Sequence, residues 1–301
     1  MVYQSGQNIT ANANPDYNVM ANDINQVFAD TNPGSTIEGT ANFGYGETIQ
    51  TTPVAPNQTV TASQWNALFD TIVKCANHQG QSLGNVPSSV TPGELIDAFD
   101  GASGTLAIIG NLISNRLVVD SSNRTLTSNG TKLLSTRATA WSSQITHQFD
   151  VNFGSYNNAR YFFNTGGQIR IAGSRSGGTV NTTNTNWTQI FNDIGTVRFN
   201  HTNTSGNSGV STDIGFYNLT SSYQVVFTKQ AGGYAGDNYE IAARTSGAFG
   251  SGGIVQFRIR FNTSATASGT LRSEIDERRA TGIITRPSPT FTTNTAISTG
   301  G

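Results

Sequence analysis

The apolar positions of this chain change their period along its length, and the change divides it. Between Pro15 and Asp30, Tyr17, Met20, Ile24, Val27 and Phe28 recur at i, i+3, i+7, i+10 and i+11. Such spacing puts side chains on one face of a helix. Asn14 is the expected N-cap and Pro15 the first helical residue, a position where no N–H is needed. Asn32-Pro33-Gly34 ends the helix. Residues 62–80 repeat the pattern with Trp65, Leu68, Phe69, Ile72, Val73 and Ala76. Thr61 or Ser63 is the expected cap, and Gly80 the stop. The two segments form a weak repeat, with Tyr17-Asn18-x-Met20 answering Trp65-Asn66-x-Leu68 and Ile24 answering Ile72. Each narrow stripe must be covered, by the other helix or by a partner chain. Thr91-Pro92-Gly93-Glu94 opens a third, short helix through a capping box, with Leu95, Ile96 and Phe99 on its buried side. The run Leu106–Ile113 is short and apolar, which leaves helix and buried strand open. Asn129-Gly130 is a hairpin-turn signal.

From about residue 141 the period becomes two. Phe149, Val151 and Phe153 alternate with polar residues; so do Ile169 and Ile171, then Tyr223, Val225 and Phe227. Tyr239, Ile241 and Ala243 follow, then Phe257, Ile259 and Phe261, with Arg258 and Arg260 on the opposite side. Strict alternation means one buried and one wet face, the pattern of antiparallel sheets. Turn-forming clusters of Gly, Ser and Asn separate the runs. One segment departs from this rule. Trp187, Ile190, Phe191 and Ile194 sit at helical spacing, between a cap at Thr185 or Asn186 and a stop at Gly195, and predict a short helix closing one end of the core.

The expected fold is therefore α+β. A small N-terminal helical module at 1–100, for assembly or docking, is followed by a connector at 101–140. A mainly antiparallel β-sandwich-like domain with one inserted helix fills 141–285, its boundary falling near 135–140, and a tail at 286–301 wraps a neighbour or stays loose.

Composition narrows the class. Charged residues are 12% of the chain, about half the usual share, so solubility rests on hydroxyls and amides. Such a profile suits long β structures joined by polar turns better than an α/β enzyme. No Lys/Arg run of five exists in a chain of net charge −1, which argues against nucleic acid as a partner. The sequence shows no secretory signal pattern and no apolar run long enough to insert in a membrane. The Asn-x-Ser/Thr sequons, such as Asn129 and Asn218, are chance products of an Asn- and Thr-rich chain.

Candidate chemistry is sparse. His78, His147 and His201 are far apart in sequence, and none sits in a metal-binding spacing. Cys75 lies beside the apolar stripe of the second helix and reads as a small hydrophobe. Glu274, Asp276 and Glu277 beside Arg278 and Arg279 read as exposed salt links, since glycosidase chemistry needs two acids facing across a cleft. The glycine stretches SRSGG, QAGGYAGD and GAFGSGG fit no phosphate-binding loop and read as hairpin tips. The expectation is no catalytic residue, no cofactor and no metal.

The run Phe162-Phe163-Asn164-x-Gly166-Gly167-x-Ile169-Arg170, with NTNWTQIFNDIGTVRF and IGFYNLTSSYQVVFTK after it, resembles a domain widespread in virion proteins of tailed bacteriophages, especially those infecting cyanobacteria. The opening DYNVMANDINQVFAD with a following GYG is similar to the openings of such proteins. The resemblance covers 137–285 well and 10–75 loosely. It implies a structural component of the virion, in the tail, neck or fibre region, made in the host cytoplasm. Implied partners are copies of the chain itself, with a trimer as first guess, and other virion proteins. Tyr17, Met20, Ile24, Trp65, Leu68, Phe69, Phe162 and Phe163 are the candidate assembly contacts. Read as a strand, Phe162 and Phe163 point to opposite sides, so that one reaches a subunit contact or a bulge unless both faces are covered. Asn164, Gly166 and Gly167 suit a turn with positive φ. The alternative expectation is a receptor-binding module for host surface glycans, using loops near 174–186, 201–212 and 230–238, with Tyr234, Asp237 and Asn238 as contacts.

Overall fold

A computed structural model of the chain describes residues 17–30, 44–55, 58–83, 86, 89–92, 104–127, 133–138, 140–232, 234–247 and 253–294. The chain forms two compact units. The first holds residues 1–124 with 164–166 and 280–286; the second holds 125–163, 167–279 and 287–301.

The first unit is helical. Helices α1 (Tyr17–Phe28), α2 (Ala62–Gln79) and α3 (Thr105–Ser114) bury their stripes against one another. The ambiguous apolar run is thus helix α3, with Ile108, Ile109 and Leu112 turned inward. Thr61 caps α2: its hydroxyl accepts the Gln64 N–H at 3.3 Å while the Gln64 carbonyl takes the Thr61 N–H at 2.8 Å. Gly80 closes the helix at φ 71°, a conformation that a Cβ disfavours. The sequence repeat has a structural meaning. Tyr17 and Trp65 meet edge to face at 5.2 Å. Asn18 clamps both backbone groups of Val54, at 3.0 and 2.8 Å, and Asn66 does the same to Val90, at 3.1 and 2.8 Å. Each helix thus holds one residue outside it through a two-point contact of a side-chain amide with that residue's backbone. Asn14, Pro15, the stop at 32–34 and the third helix beyond its Thr91-Pro92 opening lie outside the described residues.

The second unit is a sandwich of two antiparallel sheets. Its strands are β1 (Arg124–Thr127), β2 (Leu133–Arg137), β3 (Trp141–Asn152), β4 (Gln168–Ser176), β5 (Thr196–Phe199) and β6 (Thr204–Ser205), then β7 (Val210–Ser211), β8 (Gln224–Ala231), β9 (Tyr234–Thr245), β10 (Ile254–Ala267), β11 (Thr270–Ala280) and β12 (Thr290–Asn294). The first sheet runs β1-β11-β4-β5-β6, with β2 also on β11; the second runs β12-β3-β10-β9-β8-β7. Register carries the alternation across strands: Phe257 pairs Phe149 on β3 and Ala243 on β9, and Ile259 pairs His147 and Ile241. These residues, with Ile169, Ile171, Val197, Phe199, Leu271 and Ile275 from the first sheet, make one continuous core.

Two helices fill the gap between the sheets, where one was expected. Helix α5 (Thr182–Ile194) begins at the Asn181 cap, whose side chain accepts the Asn184 N–H at 2.8 Å. It therefore starts before the Thr185 or Asn186 position expected from the sequence. The hydroxyls of Thr185 and Thr188 instead bond carbonyls one turn back, Asn181 and Asn184. Helix α4 (Tyr156–Asn164) replaces the strand expected at Phe162 and Phe163. Ser155 caps it, accepting from Asn158 at 3.1 Å. On a helix, neighbouring residues need not point to opposite sides. Phe162 meets Phe153 at 5.1 Å and Phe163 stacks on Phe216 at 4.9 Å, so both enter the core. The expected turn is present: Gly166 has φ 81°, and a Cβ on Gly167 would lie 2.4 Å from the Phe162 carbonyl.

Among the described residues of 101–140, α3 belongs to the first core and β1 and β2 to the first sheet. Thr290–Asn294 adds β12 to the edge of β3, and Ile284 just before it is buried in the helical core. The run of Thr around Phe291 has the β propensity for this.

Candidate interaction faces

The residues that alternate away from the sandwich core make two outer faces. On the second sheet they are bonded to one another across strands. The Asp150 carboxylate accepts from the Gln256 amide at 3.0 Å, and the Gln256 carbonyl accepts from Arg244 Nε at 2.8 Å. The Arg244 and Arg258 guanidiniums lie 4.5 and 4.3 Å from the Tyr223 ring centre, the geometry of cation–π attraction. Arg260 pairs Glu240 at 3.2 Å. Burial, then the neighbouring Arg260, pulls Arg258 below the ordinary guanidinium value. Ala242 points to this side, yet is fully buried between Arg258 and Val225 in register. The result is a flat layer of planar donors held in fixed positions. Arg, Gln and Asn hydrogen-bond without exchanging protons near neutral pH, so the layer is suited to recognition and contact.

On the first sheet the outer face is richer in charge. Arg170 is directly opposite Asp276 on one side and Arg198 on the other. Its nearest carboxylate oxygen, on Asp276, is 3.9 Å away. Arg272, Glu274 and Arg278 share this face by alternation along β11.

The candidate assembly contacts lie elsewhere. Tyr17, Met20, Ile24, Trp65, Leu68 and Phe69 are at most 3% exposed in the helical core, and Phe162 and Phe163 at most 1% in the sandwich. Their surfaces are already spent inside the chain, because three helices and two sheets supply enough apolar partners. Of the candidate glycan contacts, Asp237 is fully buried and accepts from the Thr263 hydroxyl at 2.7 Å. An inward carboxylate cannot touch a surface sugar. Asn238 is half-buried, on the outer side of β9 opposite Gln230 and Asn262. Tyr234 opens β9 across from Ala231, and its side chain lies outside the described residues. The loop at 174–186 is tied down: the Asn184 amide donates to the Ser268 hydroxyl at 2.9 Å, and Arg175 Nε donates to the Ser268 carbonyl at 2.7 Å. QAGGYAGD does contain the turn between β8 and β9, whereas SRSGG leads from β4 into α5 and is no hairpin tip.

The chain matches no family model, no curated protein and no solved structure.

The groups with latent chemistry are buried one by one. Burial drives the Cys75 thiol far up in the helical core. His147 projects from β3 into the sandwich, where Nδ1 meets the Ser273 hydroxyl at 2.9 Å and Phe261 packs edge-on. Burial, then Arg137, lowers it to about 4. His201, half-buried after β5, is lowered by burial. Among the described residues no group of three His, Cys, Asp or Glu is placed to hold a metal.

Glu277 departs from the exposed salt link expected of it. Strand parity places Leu271, Ser273, Ile275 and Glu277 on the inner side of β11, and Glu277 is fully buried. The Ser288 hydroxyl donates to it, and Arg279 lies 3.3 Å away. Burial outweighs both and pushes its carboxyl up to about 7. A folded value above the unfolded one means that the folded state takes up the proton between about pH 4.5 and 7. This contribution to stability is complete below pH 4.5 and is lost as pH rises through 7. Glu277→Gln is therefore expected to gain on the wild type by about 1–2 kcal/mol above pH 7.5 and to match it below pH 4.5, discounting for partly solvated neighbours. Urea midpoints at pH 4.5 and 8 check this; a difference that does not grow with pH refutes it.

Proposed function

We propose that this chain is a repeated structural subunit of a tailed-phage particle, placed in the tail, neck or fibre region. It assembles with copies of itself and with other virion proteins. The run Phe162-Phe163-Asn164-x-Gly166-Gly167-x-Ile169-Arg170, which prompts the virion reading, forms the hinge from α4 into β4 and so underpins the sandwich. The observation that carries the reading is the outer layer of the second sheet. Asp150, Gln256, Arg244 and Tyr223 are bonded in series there before any partner arrives. A preorganised polar layer loses little side-chain entropy on contact, which suits repeated assembly. Its contacts run through the sheet faces, not through the buried stripe residues.

The test is direct. Particles purified from an infected culture are expected to contain the chain at several copies each, in constant ratio to the major tail protein by quantitative mass spectrometry. A chain that stays in the soluble fraction after particle removal refutes the reading.

A further inference from the structure

One end of the sandwich holds a carboxylate with more acceptor oxygens around it than protons to share. Strand β9 turns Tyr239, Ile241 and Ala243 into the core. The same parity takes Asp237 inward, where it is 0% exposed. The Thr263 hydroxyl, on the inner side of β10 after Phe261, lies 2.7 Å from Asp237 Oδ1 and 2.9 Å from the Ala265 carbonyl. A hydroxyl has one proton, so it satisfies only one of the two at a time. Asp237 Oδ2 is buried with no donor at all. Among the described residues no Lys, Arg or His comes within ion-pair distance of this carboxylate. Buried charges are otherwise paired or bound to a metal, because leaving one unmatched is costly. We propose that Asp237, Thr263 and the Ala265 carbonyl form a calcium-binding site.

The donor set selects the ion. All three donors are oxygens, which disfavours metals that prefer nitrogen or sulfur. Calcium accepts carboxylate, carbonyl, hydroxyl and water together in irregular shells, whereas magnesium demands a near-ideal octahedron and parts reluctantly with its water. The oxygens are already gathered about the Thr263 hydroxyl, and the ion takes the place of its shared proton in holding them together. The local fold leaves a way in. Register between β3 and β10 breaks between Thr263 and Ala267, and Ser264, Ala265 and Thr266 at the break are exposed. Water reaches the rest of the shell from that side. Ser143, directly opposite Thr263, takes φ 71°, the one positive value among the described non-glycine residues, so the backbone bends sharply here. With a single carboxylate the site binds weakly, at about 0.1–1 mM, the range of low-charge calcium modules. Two of its three donors are a hydroxyl and a main-chain carbonyl, so no acidic motif marks it in the sequence.

The full chain, stripped with EGTA, is melted with and without about 10 mM CaCl2 or MgCl2 while the fluorescence of Trp141 and Trp187 reports on the sandwich. Calcium is expected to raise the melting temperature by at least about 3 °C, and magnesium by less than about 1 °C. Titration calorimetry is expected to give one calcium per chain. Asp237→Asn keeps the shape and removes the charge. It is expected to weaken calcium binding at least about tenfold, and to melt above the wild type in EGTA because the unmatched charge is gone. Thr263→Val, which leaves the carboxylate in place, is expected to weaken calcium binding at least about threefold, and the exposed Asp213→Asn to leave it unchanged. No calcium bound at 10 mM, equal shifts from the two ions, or a calcium shift that survives Asp237→Asn overturns the proposal. The test needs neither particles nor oligomers, so its outcome is independent of the virion reading.

Discussion

Trp187→Ala is expected to lower the stability of the sandwich unit by about 3–5 kcal/mol, the range for deleting a fully buried tryptophan. Trp187 is 0% exposed and sits on α5 between the two sheets. Its ring lies 5.8 Å from Phe191 and 5.9 Å from Phe261 on β10. Phe191, one turn on, reaches the other sheet, where a Cβ on Gly173 would lie 2.4 Å from its ring. Helix α5 is thus a wedge whose aromatic side chains hold the sheets apart at a fixed spacing, and a close-packed interior does not collapse to fill so large a hole. The indole Nε1 is buried without a hydrogen-bond partner. Trp187→Phe removes that unsatisfied donor along with some volume, so it is expected to cost less, about 1–2 kcal/mol. Val180, 99% exposed just before the same helix, supplies the control. Val180→Ala is expected to stay within about 0.5 kcal/mol of the wild type. Urea unfolding followed through Trp141, 6.3 Å from Trp187, reads the sandwich transition. A Trp187→Ala loss under about 1 kcal/mol would mean that α5 lies on the sandwich without supporting it.

Much of this wedge is legible in the sequence, and the reason is period. Trp187, Ile190, Phe191 and Ile194 cannot share a face on a strand. The alternation at Phe257, Ile259 and Phe261 likewise fixes which side of β10 is inside. The same parity rule, applied to β11, places Glu277 inward with Leu271 and Ile275. A view of the carboxylates as one exposed cluster overlooks this, because it weighs residue type above position. Helix α4 is harder to read. Tyr156-Asn157-Asn158-Ala159-Arg160 has low helix propensity in its asparagines, and the aromatic triplet after it favours a strand. Tertiary packing of Phe162 and Phe163 decides the matter. Strand β12 was hidden by a polar composition that reads as a loose tail until β3 offers an edge. The interaction faces have no local signature at all. Arg244, Arg258 and Tyr223 are separated along the chain and meet only through register.

Within the helical unit the largest acid sensitivity is expected from His78. It lies on α2, is 0% exposed, and has Tyr45 edge-on at 5.0 Å. Both ring nitrogens are buried, and a hydrogen bond to the Thr165 backbone opposes the shift only in part. Burial, then Arg124, then Arg286 lower its value from 6.5 to about 4. The unfolded chain therefore takes up a proton as pH falls through 6.5, while the folded unit resists until about 4. The stabilisation from keeping His78 neutral is complete above pH 6.5 and is lost progressively down to pH 4, a span worth about 3 kcal/mol at about 1.36 kcal/mol per pH unit. His78→Phe keeps an aromatic ring against Tyr45 and removes the titration. It is expected to gain on the wild type steadily from pH 6.5 to 4, and by about 2 kcal/mol at pH 5. Fluorescence of Trp65, in the same core, separates this transition from that of the sandwich, where His147 titrates in the same direction and Glu277 in the opposite one. An NMR titration of the His78 ring gives the direct value. A midpoint near 6.5 in the folded protein would show that solvent reaches the ring, and that the two cations beside it do not govern its proton.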